Sequence, residues 1–285
     1  MLAKDWGMDP VTPTVDALQR RFELLSPAPR IRASLRALVA EENVNPDEIL
    51  SLLRLEPLLA CRILREANQL RETRPDGYSS LEEAVTAIGF QRMYDLLGLY
   101  SYQSDRDEYT YSTDAWKRAI TSAVCMEILA EKHRIDPQRA YTIGLIHSLA
   151  QSLLDAESPL DLQRKEGNPL FRLNDRLRRF NASGLCFALL NDWGLPSTVT
   201  DPIRFQYSPL DCQTTGKMAC LLNLAKWITG VIREVDELPD QATGPDLLVL
   251  NLLGEGEQTL WNLVTDVSDS LLRADAIVQG NYSSC

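Results

Sequence analysis

Histidine is scarce in this chain: 285 residues contain two, His133 and His147. A metal centre needs several nitrogen, sulfur or carboxylate ligands converging on one point, and two isolated histidines do not supply them. The six cysteines (Cys61, Cys125, Cys186, Cys212, Cys220, Cys285) form no CxxC pair and read as reduced, mostly buried thiols. Glycine-rich phosphate loops are absent, as is the Gly-x-Ser-x-Gly elbow of a nucleophilic serine. No apolar run approaches the roughly 18–20 residues that span a bilayer. The first residues lack the apolar stretch of a secretory signal, so the expectation is a cytoplasmic protein with no membrane partner. Excess basic charge is missing too. The net charge is −11 and the pI about 4.8, which argues against nucleic acid as a partner.

The chain does have enough apolar material for a sizeable core, at 45% hydrophobic and 24% charged. Its acidity is uneven: residues 210–285 carry four basic against eleven acidic residues, which marks a C-terminal unit with its own surface. The local signals are helical almost throughout. Pro10 and Pro13 block an early helix, and residues 1–20 are expected to be an extended arm. Leu35 and Leu38 then recur at helical spacing. Asn45-Pro46 and Glu56-Pro57 each open a helix, as do Ser80-Leu-Glu-Glu83, read as a capping box, and Asp136-Pro137. A helix over 138–154 is apolar on most sides and is expected to be central. Further helices are expected near 214–233, 245–253 and 257–278. Hairpin signals are missing, so the fold class is all-α.

Two features invite a chemical reading. His147 lies in the apolar helix beside Ser148, a poor ligand, and its ordinary reading is a buried histidine bonded to one backbone carbonyl. His133 ends its helix, where a cation suits the dipole, and reads as a surface residue. Residues 164–180 form a basic cluster against the acidic trend, with Arg172, Arg176 and Arg179 on one helix face. That face is either simply solvated, or docks a phosphate-bearing ligand or the acidic tail of its own chain.

The order of motifs resembles the HDOD module, the HD-related output domain of bacterial signalling proteins. The resemblance rests on Leu25-Ser-Pro-Ala-Pro29, Glu56-Pro-Leu-Leu-Ala-Cys-Arg-Ile-Leu-Arg-Glu-Ala-Asn68 and Ser79-Ser-Leu-Glu-Glu-Ala-Val-Thr-Ala-Ile-Gly89. It continues through Trp116, Gly144-Leu-Ile-His-Ser-Leu-Ala150 and Asp192-Trp-Gly-Leu-Pro196. Family members usually have Asp-Pro at 56–57 and Asn-Ser at 68–69, where this chain has Glu-Pro and Asn-Gln. The resemblance implies an HD-like helical bundle in two lobes, 21–107 and 108–209, together forming a domain over 21–209. Residues 210–285 add an acidic helical extension.

The resemblance also implies a missing site. HD phosphohydrolases hold metal with a His-Asp pair and separate His and Asp residues. Here the aspartate position is Ser148, the histidine expected after Trp116 is Arg118, and Phe205-Gln206-Tyr207 stands where relatives often carry histidines. The expectation is a non-enzymatic regulatory module without cofactor or metal. Its partner would be a signalling protein or a second copy of itself, bound between the lobes near Glu56, Asn68 and residues 71–79. The runner-up is a residual metal-dependent phosphohydrolase using His147 with Asp114 or Asp155. A third reading is a nucleotide sensor using the arginines at 172–179. The leucine block at 247–253 either caps the core, its ordinary role, or forms a subunit interface.

Overall fold

Four of the helix starts read from sequence are held by the side chains expected to hold them. A computed structural model of the chain describes residues 15–25, 34–38, 45–70, 74, 76–102, 113–155, 182–233 and 245–278. Asn45 accepts from the Asp47 N–H to open α2 (Pro46–Arg54), with α1 being Val15–Leu24. Glu56 accepts from the Leu58 N–H to open α3 (Pro57–Gln69), and Ser80 from the Glu83 N–H to open α4 (Leu81–Ile88). The box at Ser80 is stretched by one residue. Glu83 reaches back to the N–H of Ser79 (2.8 Å), since Arg74 also binds its carboxylate. Gly89, at φ 75°, stops α4 and passes the chain into α5 (Phe90–Tyr102).

The second lobe follows as α6 (Thr113–Lys132) and α7 (Pro137–Ile146), the latter capped by Asp136. Then come α8 (Leu149–Asp155), α9 (182–192) and α10 (Ser197–Arg204). After a 3-10 turn at Pro209–Asp211, the C-terminal part is α11 (Gly216–Arg233), α12 (Leu247–Leu253) and α13 (Glu257–Val278). Every regular element among the described residues is helical. None of these helices is long and apolar enough to cross a membrane.

Three expectations are corrected. The arm expected over 1–20 is already helical from Val15, because the last proline lies before it and Leu18 and Phe22 form an apolar i, i+4 pair that is fully buried. Arg62 of α3 caps the end of this helix by donating to the carbonyls of Phe22 (3.2 Å) and Leu25 (2.9 Å). The central helix expected over 138–154 breaks at His147-Ser148 into α7 and α8. Apolar periodicity runs across the break and hides it. His133 is not a surface residue: its Nε2 lies 2.9 Å from the buried carboxylate of Glu255.

The lobes are riveted together by polar contacts at the end of α2 and the start of α4. Trp116 Nε1 donates to Leu55 O (2.7 Å) and Tyr141 Oη to Arg54 O (2.7 Å), so two carbonyls left over at the end of α2 are served by the second lobe. The Arg54 guanidinium lies 3.7 Å over the Tyr141 ring and pairs with Glu127 and Glu82. The Leu81 N–H donates to Thr142 Oγ1 (3.0 Å). One hydrophobic core runs from Leu18 through to Val267, including Leu221, Leu222, Leu224 and Ile228 of α11. At about 1.5–3 kcal/mol for each large side chain removed from water, these four residues hold α11 in that core.

Candidate functional site

His147 owes its position to the end of α7. A helix terminus leaves backbone carbonyls without intrahelical partners, and here the imidazole turns back so that Nδ1 meets Gly144 O at 2.7 Å. A carbonyl only accepts, so Nδ1 carries the proton and Nε2 holds the lone pair. Burial pushes the His147 pKa down to about 3, reinforced by the nearby cations Lys226 and Arg118 and opposed only by the bond to Gly144. The ring is neutral at physiological pH.

Gln206 organises the rest of the site. It is buried, and its Nε2 donates to Ile203 O (3.0 Å) and to His147 O (3.4 Å). Its Oε1 accepts from Lys226 Nζ (2.7 Å), and its backbone carbonyl accepts from Asn223 (3.0 Å). The Lys226 ammonium also sits 3.2 Å from the centre of the Tyr207 ring. The α10 end, α11 and the α7–α8 break thus meet in one amide-centred cluster whose formal charge is positive.

These residues do not fit a divalent cation. Such an ion needs several anionic or neutral donors on one point, whereas the field at His147 comes from a lysine and an arginine. Among the described residues, no three His, Cys, Asp or Glu side chains gather as a ligand set. Asp114, named as a helper for the hydrolase reading, is exposed and ion-paired with Arg118. The side chain of Asp155, the other helper, lies outside the described residues, as do Arg172, Arg176 and Arg179. Ser148, at the aspartate position, has its Oγ buried with no hydrogen-bond partner among the described residues.

Glu56 and Asn68 are both interior. Asn68 Oδ1 accepts from the Tyr78 N–H (2.8 Å), while Nδ2 donates to Tyr78 O (3.1 Å) and Leu64 O (2.9 Å). The side chain therefore mimics one rung of a sheet and pins the following loop to α3. Gly77, at φ 72°, lies so close that a Cβ there would meet Asn68 Oδ1 at 2.7 Å. A docking role between the lobes for these two residues does not match their geometry: one caps a helix and the other holds a loop.

Lys226 was not singled out in the sequence. Its signal is that it is the one charged residue between Lys217 and Arg233, inside an otherwise apolar helix.

The sequence profile of the HDOD domain matches residues 25–209. No curated protein matches the chain. Among solved structures, the MmoQ response regulator of Methylococcus capsulatus str. Bath is 22% identical, covers 84% of this chain and 97% of its own, and has a TM-score of 0.66. A virulence factor from Campylobacter jejuni subsp. jejuni is 16% identical, covers 75% of this chain and 82% of its own, and has a TM-score of 0.59. At such identities the shared property is the fold.

Proposed function

Because this chain belongs to the HDOD family over residues 25–209, whose members are associated with signalling, we propose that it is a non-catalytic regulatory module that acts by binding another protein. The observation that carries this reading is the cationic cluster around His147. Where an HD enzyme would gather acidic and imidazole ligands, Lys226 is bonded to Gln206 and depresses the protonation of His147. A positive side chain there repels a divalent cation and stabilises the fold around it. A neighbour of the same fold is named a response regulator, which agrees with a place in signal relay.

The test is elemental analysis of the purified chain beside its His147→Asn variant, with turnover of phosphomonoester and phosphodiester probes measured on both. Asparagine keeps a donor at the Nδ1 position and removes the Nε2 lone pair. Background metal and no turnover in either protein is the expected result. Near-stoichiometric metal that disappears in His147→Asn, with hydrolysis disappearing alongside it, would replace this reading by the phosphohydrolase one.

A further inference from the structure

Helix α12 is seven residues long and six of them are apolar (LLVLNLL). Val249, Leu250 and Leu253 point into the core. The other three leucines share the opposite face and are exposed: Leu247 by 72%, Leu248 by 60% and Leu252 by 65%. Single surface leucines are ordinary, but contiguous ones beside a groove mark an interaction surface. The groove is there: a cavity of about 440 Å³ lies between α11, α12 and α13, lined by Trp227, Leu247, Leu250, Leu260 and Trp261 among others. Trp261 is itself 53% exposed at its rim.

Charge selects the occupant. Residues 245–272 contain five acidic side chains and no basic one. Asp246 stands at the start of α12 beside the exposed leucines. Asp269 is exposed and lies two helical turns from Trp261 on the same side of α13. Glu255 is already engaged by Lys132 and His133, while Asp246, Asp266 and Asp269 are exposed. A second copy docked through this same face would bring an identical acidic rim against it, and an anionic lipid surface would be repelled likewise.

We infer that this face docks an amphipathic segment of a partner protein, with large apolar side chains entering the Trp227–Trp261 groove and Lys or Arg side chains meeting the acidic rim. The inference rests on the reading of the chain as a protein-binding module and assigns that role to a surface outside the residues matched by the family. It has the form of a helix laid in a groove, with anchors at i, i+3/i+4 and i+7. Aromatic anchors at the centre and charge at the edge are what such interfaces use.

The test uses the full chain and a fluorescent sixteen-residue peptide with leucines at helical amphipathic spacing and lysines on the other face. A matching peptide has glutamate for lysine. The Leu/Lys peptide is expected to bind, and the Leu/Glu peptide to bind at least about tenfold more weakly. Leu248→Ser/Leu252→Ser and Trp261→Ala are expected to weaken the Leu/Lys peptide by about tenfold or more without moving the melting temperature. An affinity unchanged by these substitutions overturns the inference. So does a dimer in sedimentation that the double substitution dissociates, which would make a second copy the occupant. Binding that emerges only when 236–243 are replaced by Gly and Ser would overturn it too, by making this chain its own occupant. Metal and phosphoester measurements on the same preparation report separately on the regulatory reading, which stands whether or not the peptide binds.

Discussion

At the scale of single residues, His147 makes stability depend on pH in a defined direction. Its folded pKa of about 3 lies below the ordinary value of 6.5. Between those values the unfolded chain binds a proton that the folded chain refuses, so stability falls as pH falls through that window. From pH 6.5 to 5 the loss from this one group is about 1–2 kcal/mol. Urea unfolding at several pH values is expected to show this slope in the native chain and a flatter one in His147→Asn. Asn68→Ala removes three hydrogen bonds and strands the buried N–H of Tyr78, which costs about 2–4 kcal/mol; thermal melting reads it directly. Gly144 is a contact of another kind. A Cβ there would meet Ser122 O at 2.6 Å and Ala123 Cα at 2.7 Å, both backbone atoms of α6 that cannot step aside. Gly144→Ala is expected to destabilise the fold by at least about 1–3 kcal/mol by forcing α6 and α7 apart, again as a lower melting temperature.

At the scale of elements, the turn between α12 and α13 is fastened to the end of α6. Gly254 takes the left-handed conformation, at φ 67°, so that the Glu255 N–H returns to Leu250 O (3.0 Å). The Glu255 carboxylate then meets Lys132 and His133. Glu255→Ala is expected to cost about 1–3 kcal/mol and to raise hydrogen exchange in α12 and α13 before the rest of the chain. The helix starts were legible because capping is chemistry between near neighbours. Asn45, Glu56, Ser80 and Asp136 each announce themselves beside proline or glutamate. The α7–α8 break was not legible, since it depends on one imidazole turning back three residues while the apolar pattern continues unbroken. Nor was the role of His133, whose partner lies far along the chain in the extension. The degenerate metal motif could be read from Ser148, Arg118 and Gln206, but the lysine that answers them required the packing of α11.

At the scale of the whole molecule, the residues matched by the family and the residues that make the core are different sets. The profile ends at residue 209, yet α11 beyond it buries Leu221, Leu222, Leu224 and Ile228 and supplies Lys226 to the His147 cluster. A chain ending at 209 is therefore expected to expose the second lobe's apolar surface. The check is strong binding of a hydrophobic dye and aggregation on gel filtration, where the full chain is expected to show neither.

Helix α1 carries the same mismatch at the other end, with a consequence for synthesis. Arg21 donates to the carbonyl of Leu153, 132 residues later, and the Phe22 ring rests 4.7 Å from that of Trp193. At about 5–20 residues per second of translation, the nascent helix waits on the order of ten seconds for these two contacts, with Arg62 of α3 reaching it earlier. It is made well before α8 and α9, so brief protease pulses on stalled nascent chains are expected to cut α1 more readily in those released only to residue 140 than in those released beyond 200.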